Sequence, residues 1–347
     1  MDEVFYVIPA EMQLIIERLL VRDWIVHNFH LRDSQSFYSP GDILYNVDVE
    51  DVTYKVYLDT NIYQFLLNSC KKKPTEIARD AVSLLVFCQL CKIQLDPTYA
   101  VYEKINYTNH RAPEAIKDLN LFHKINNSET NSLVAYALGD AEGYPLGYHP
   151  GVETGVMENA LTKYSRLTEW DSMYLIMLAC ISISMKRMSR KDKLKLFVNW
   201  MLKEFRRSLV GYIYAIIYFS QNPLRRMMKY RATDERESRR SQIYNMTWDL
   251  YIMNMFFRKW ISNEKKNEFM YATDDKAFKE LLRLAIDVQI HEGFEPLKNV
   301  ISKSDYHNLE EIWKLDIPEE ERVYRSDEWS PEYRTKLIQN FENEVLG

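Results

Sequence analysis

Apolar positions follow a helical period over residues 11–29 and then give way to the polar turn stretch SQSFYSPGD at residues 34–42. The next six residues, TYKVYL at 53–58, alternate as a half-buried strand does, and Thr60 or Asn61 stands where a following helix needs its cap. A helix is expected over residues 75–91, with Ala78, Ala81, Leu84, Leu85 and Cys88 on one stripe. Residues 92–95 then read as a short strand, and Asp96-Pro97 opens a new helix with proline near its start. That βαβα order predicts an α/β fold with a parallel sheet covered by helices.

The alternation stops at about residue 112. From there to residue 229 the pattern is helical almost throughout, with breaks at the glycine-bearing stretch 139–155 and at Asn222-Pro223. A long helix over 234–261, a strand over 268–272 and a helix over 276–291 resume the α/β pattern. Residues 297–301 read as a further strand, and the acidic tail from Ile317 reads as helix outside the sheet. The expected organisation is a helical arm at 1–52, a first α/β part at 53–111, a helical insertion at 112–229, a second α/β part at 230–303 and a helical tail at 304–347.

At 347 residues with 46% hydrophobic positions, the chain can bury a large core, so disorder is not expected. Nine glycines and eleven prolines are few for that length, which favours long helices over many short strands. Acidic residues at 2, 3, 11, 17 and 23 break any leader-like apolar run, and the cytoplasm is the expected location. The most apolar stretches, 172–185 and 209–219, fall short of the roughly 20 residues a membrane span needs. Cys70, Cys88, Cys91 and Cys180 make neither a disulfide framework nor a zinc site, because Cys88-x-x-Cys91 has no matching second pair. His27 and His30 stand at helical spacing without a partnering carboxylate motif, and read as structural.

Four acids carry the candidate chemistry. Asp59 ends the first strand, Glu103 lies in the helix after the second, and Asp274 and Asp275 follow the strand at 268–272. Asp249 is the one charged residue in MTWDLYIMNMFF, residues 246–257, where burial is costly unless the carboxylate is paired or coordinates a cation. Each of these acids has a structural reading as well: Asp59, Asp274 and Asp275 as helix caps, Glu103 as a solvated helix residue. Strand ends that deliver several carboxylates to one sheet edge suit a hard divalent cation, which takes oxygen ligands.

The order of the motifs resembles the PIN domain nucleases. LDTN at 58–61 is similar to the family's opening aspartate motif, DPTYAVYE at 96–103 to the segment ending in its glutamate, WDLYI at 248–252 to its helical aspartate segment, and TDDKAF at 273–278 to its strand-end Thr-x-Asp-x-x-Phe motif. The resemblance covers about half the chain, residues 53–111 and 235–300. It implies a PIN-like three-layer fold with a central parallel sheet, here interrupted by the helical insertion. It also implies catalytic roles for Asp59, Glu103, Asp249 and Asp275, metal contacts from Asp59, Asp249 and Asp275 with Asp274 auxiliary, and supporting hydrogen bonds from Asn61 and Thr273. The 145 residues between Glu103 and Asp249 exceed what a compact member uses, which leaves Glu114 or an acid in the insertion as an alternative to Glu103.

By that resemblance the chain is expected to be an Mg²⁺- or Mn²⁺-dependent phosphodiester hydrolase, an endoribonuclease ahead of a deoxyribonuclease, leaving 5′-phosphate and 3′-hydroxyl ends. A toxin or antiviral defence effector is the context such a nuclease would suit. The alternative is a catalytically weak scaffold that uses the insertion to bind a protein or nucleic acid. Charge favours an anionic partner: residues 186–240 hold 16 Lys or Arg against 5 Asp or Glu, in a chain whose net charge is −5. Arg225, Arg226, Lys229, Arg231, Arg236, Arg239 and Arg240 are the candidate phosphate contacts, with Tyr212, Tyr214, Tyr218, Tyr230 and Tyr244 as candidate base-stacking rings. The bland reading of the same residues is a solvated helix face with core tyrosines. A protein regulator or a second copy of the chain is the other expected partner, and no membrane is expected.

Overall fold

Four strands, β1 (Ile25–His27), β2 (Thr53–Leu58), β3 (Gln94–Asp96) and β4 (Asn267–Ala272), form one sheet in the order β1-β4-β2-β3. The computed structural model describes residues 6–29, 37–71, 73–106, 112–152, 169–262, 266–315 and 317–347. Contacts divide the chain into two units, residues 1–165 with 256–276 and residues 166–255 with 277–347.

The first unit holds the sheet. β2 runs parallel to both β3 and β4, with Lys55 opposite Gln94 and Phe269, and Leu58 opposite Ala272. β1 joins β4 antiparallel, so the sheet is mixed where an all-parallel one was expected. The cause lies at Asp23. α1 (Glu11–Arg22) stops there because Asp23 takes a left-handed conformation, φ 50°, and its N–H bonds back to Leu19 O. Aspartate tolerates that conformation better than most residues. The helical period expected through residue 29 therefore ends early, and Ile25–His27 becomes an edge strand. His27 lies in that strand, stacked on Phe29 at 4.1 Å, and not on a helix; His30 lies outside the described residues.

Strand alternation sends Tyr54, Val56, Leu58, Met270 and Ala272 into the main core. Against them pack α1, α2 (Pro40–Asp48), α3 (Thr60–Asn68), α4 (Glu76–Leu90), α5 (Thr98–Asn106), α6 (Ala112–Asn126) and α7 (Thr130–Leu138). α4 is buried nearly throughout its second half, which is where Cys88 sits; Cys88, Cys91 and Cys180 are buried thiols and Cys70 an exposed one. Two expected boundaries fall elsewhere by contacts. Ile116, Leu119, Phe122, Ile125, Leu133 and Tyr136 belong to the same core as the sheet, so α6 and α7 are part of the first unit and not of an insertion beginning at 112. Met12, Ile15 and Leu19 are core residues too, so α1 is built into the unit and is no peripheral arm.

The second unit is helical among its described residues. It comprises α8 (Trp170–Met185), α9 (Arg190–Lys203), α10 (Leu209–Tyr218), residues 236–255 of α11 (Arg236–Ile261), residues 277–290 of α12 (Lys276–Ile290), α13 (Lys303–Trp313) and α14 (Pro331–Leu346). α8 is apolar nearly all round and correspondingly buried. It packs against α14, where Tyr174 donates to Glu342 at 2.7 Å. Residues 297–301, expected as a strand, hold the end of a 3₁₀ turn, Glu295–Asn299, because Pro296 cannot donate to a sheet and starts the turn instead. No helix among the described residues is long and apolar enough to cross a membrane.

Candidate functional site

Because β2 and β4 are parallel and register Leu58 with Ala272, the next residues, Asp59 and Thr273, leave the sheet side by side. They do so at the carboxyl edge, where open α/β sheets hold their ligands. Two backbone bonds fix this exit. Asp59 N–H donates to Ala272 O at 2.9 Å, and Thr273 N–H donates to Trp24 O at 3.0 Å. Thr273 is only 1% exposed, and its hydroxyl links two expected site residues. It donates to Asp59 Oδ2 at 2.8 Å and accepts the N–H of Asp275 at 3.0 Å.

Asp59 also caps α3, as its structural reading had it and in place of Thr60 or Asn61. Its Oδ1 accepts the Thr60 N–H at 2.7 Å, and its Oδ2 accepts the Asn61 carboxamide at 3.1 Å. Among the described residues all its hydrogen-bond donors are neutral groups. Burial pushes the Asp59 carboxyl above the ordinary aspartate value of 3.8; the bonds from Thr273, Thr60 and Asn61 oppose that rise, and the charge of Asp275 adds to it. A half-buried carboxylate held by neutral donors, with the charge of a second carboxylate bearing on it, is electrostatically suited to a divalent cation.

Two residues that sequence reasoning missed support this edge. Trp24, 1% exposed, donates its indole N–H to Asp274 Oδ1 at 2.8 Å, which ties Asp274 to the first strand. Thr60 donates its hydroxyl to the Glu103 carboxylate. Nothing in the sequence marks Trp24, whereas Thr60 lies inside LDTN and was legible there as a cap. Glu103 is buried at 8% exposure, contrary to the solvated reading, and it is Glu103 that meets the LDTN turn; Glu114 is exposed in the first turn of α6.

Asp249 belongs to the second unit. There its carboxylate pairs with Lys229 Nζ at 3.2 Å, and the same ammonium donates to Asn245 at 2.5 Å. The cost of placing Asp249 on an apolar helix is thus offset by a cation of the protein itself. Among the described residues no group of three or more His, Cys, Asp or Glu side chains is placed to hold one metal ion.

The basic segment divides. Arg239 donates to Val345 O at 2.8 Å and Leu346 O at 2.7 Å and so ties down the end of α14, Arg240 pairs with Glu237 at 3.1 Å, and Lys229 holds Asp249. Arg225, Arg226, Arg231 and Arg236 are exposed. Tyr212 and Tyr214 are buried at 4% and 2% exposure and cannot stack on a base, while the Tyr230 hydroxyl donates to Val345 O and Tyr244 packs on Trp170 and Tyr174. The core reading is the one that packing supports for Tyr212 and Tyr214, while Tyr230 and Tyr244 are half-buried.

Two sizeable cavities lie away from Asp59. One of about 680 Å³ in the second unit is walled by Phe294, Tyr306 and Trp313, and one of about 400 Å³ in the first runs beside β3 between Lys55, Asp96, Tyr102 and His123. Compared with known proteins, the chain matches no family model, no curated protein and no solved structure.

Proposed function

We propose that the first unit carries a PIN-like, divalent-cation-dependent phosphodiester hydrolase site centred on Asp59 and Asp275. The observation that carries this reading is the junction of β2 and β4, where one buried hydroxyl, Thr273, positions both acids at the carboxyl edge of the sheet. Two carboxylates are enough for Mg²⁺, which keeps several waters and commonly takes one or two protein carboxylates together with substrate phosphate oxygens. When bound, such an ion stabilises charge on the phosphoryl oxygens and lowers the pKa of an attacking water.

The chain's own residues supply orientation. Thr273 and Asn61 aim Asp59 Oδ2, Thr60 N–H fixes Oδ1, and Glu103 holds the Thr60 hydroxyl, so the carboxylate is set before any ligand arrives. Trp24 does the same for Asp274. RNA is the proposed substrate ahead of DNA, on the PIN resemblance. The test is cleavage of single-stranded RNA and DNA with Mg²⁺ or Mn²⁺ by the protein and by Asp59→Asn and Asp275→Asn. Activity that both substitutions leave intact contradicts the assignment.

A second reading is supported by the Lys229–Asp249 pair and by the three neutral donors on Asp59: a PIN-like scaffold with little catalysis, whose acids serve as caps and ion pairs. It predicts no Mn²⁺-dependent change in stability.

A further inference from the structure

Beyond the acids, the same strand carries an opposite charge on the same face. Lys55 and Tyr57 are spaced by two within β2, so they point to one side of the sheet, away from the core that takes Tyr54, Val56 and Leu58, and Asp59 follows just past the strand's end. Tyr57 sits at the centre of an aromatic platform, stacked on Phe269 at 6.1 Å and tilted against Tyr99 at 4.9 Å. Two ammonium groups converge on it. Lys259, from the last turns of α11, lies 5.0 Å from the Tyr57 ring and 5.3 Å from the Phe269 ring, and Lys55 lies 5.9 Å from the Tyr57 ring.

Among the described residues one carboxylate, that of Asp96, bears on both lysines. Asp96 pairs with Lys55 at 3.5 Å, but its other oxygen already accepts the Thr98 N–H at 2.9 Å. Burial and the neighbouring Lys55 charge lower the Lys259 pKa, with Asp96 only partly opposing them. Like charges held close over an aromatic ring are relieved by an anion, as the paired acids at the strand end are relieved by a cation. Beside the lysines, Lys55 and Asp96 open into the groove of about 400 Å³, whose walls include Leu95, Pro97, Tyr102 and His123. Its size and largely apolar walls suit one flat heterocycle, not a duplex.

We propose that Lys55 and Lys259 form a phosphate subsite for a single-stranded nucleic acid, with an unpaired base in the groove beside β3 and a neighbouring phosphate at Asp59 and Asp275. The direction of the nucleic acid follows: it extends from the lysines at residue 55 toward the acids at residue 59, past the buried ring of Tyr57, which is 7% exposed. The subsite rests on the nuclease reading only for what happens at the acid end. Binding at the lysine end is separable from it.

The experiment uses the full chain with Asp59→Asn, so that cleavage does not obscure binding, and fluorescein-labelled 12-nucleotide oligouridylate and its DNA counterpart. Into this background go Lys55→Met and Lys259→Met, which keep the stems over Tyr57, and Lys55→Arg and Lys259→Arg, which keep the charge; melting temperatures report that each variant is folded. The expected result is about tenfold or greater weakening by each Met variant. The salt slope of log affinity should fall by about 0.7 for each phosphate no longer neutralised, and the Arg variants should recover it. Met variants that bind with unchanged affinity and slope overturn the subsite, as does a parent protein that binds neither oligonucleotide. Parallel cleavage assays without the Asp59→Asn change separate the two readings. Lysine-dependent binding without cleavage by the otherwise unsubstituted protein leaves the subsite standing and removes the nuclease; cleavage indifferent to the lysines does the reverse.

Discussion

Asp59 in the first unit and Asp249 in the second are both half-buried carboxylates, and the protein relieves them differently. Asp249 faces an ammonium, Lys229 at 3.2 Å, with Asn245 completing the group. Asp59 is held by a backbone N–H, a carboxamide and a hydroxyl, and the charge of another acid, Asp275, adds to the rise of its pKa. A carboxylate with its own cation is satisfied within the fold. One held by neutral donors beside a like charge carries a cost that a bound cation would remove. Sequence context singled out Asp249 because its helix is so apolar that the carboxylate needs a pair or a cation; the partner, Lys229, lies 20 residues away in the chain.

The largest effect expected from this contrast is on cleavage. Asp59→Asn or Asp275→Asn should lower metal-dependent cleavage by more than about a hundredfold, since disturbing even the groups that support a metal ligand commonly costs 10–100-fold. Asp249→Asn should leave the metal dependence of the reaction unchanged, and an equal loss in all three variants would erase the distinction between the two regions.

Next in size is a pH effect on stability. The Asp59 carboxyl is raised in the folded state, so its contribution to stability is fully present below 3.8, its ordinary value, and is lost as pH rises through the elevated folded value. Urea unfolding of the metal-free protein should therefore show stability falling with rising pH across that window. Asp59→Asn should flatten the fall, and saturating Mn²⁺ should offset it by binding the ionised form. A pH profile identical in parent and Asp59→Asn would mean that the like charge is not felt.

The smallest effect belongs to the ion pair. Lys229 and Asp249 are about a third exposed, at 32% and 29%, so solvent screens them, and Asp249→Asn should destabilise by about 1 kcal/mol or less. A loss several times larger in thermal or urea unfolding would show that Asp249 carries more than this pair.

The sequence was legible where local pattern and tertiary role coincide. The alternation of TYKVYL and the apolar run before Asp274 marked the two central strands, and their acids marked the carboxyl edge that the register then brings together. The first edge strand was not legible: it is three residues long and follows a helix whose period ran on past the break at Asp23. The same limit hid α6 and α7, since a helical period says which face is buried but not whether a sheet or another helix covers it. At the site, Asp59, Thr273 and Asp275 were readable from their motifs, whereas Trp24 and Lys259 were not, because each reaches the sheet edge or face from a distant part of the chain.

The most direct test is calorimetric titration of Mn²⁺ into the metal-free protein and into Asp59→Asn, Asp275→Asn and Asp249→Asn. Binding to the parent that disappears in the first two variants and persists in the third is the predicted result. No binding to the parent, or binding that survives both Asp59→Asn and Asp275→Asn, contradicts a cation site at the joined ends of β2 and β4.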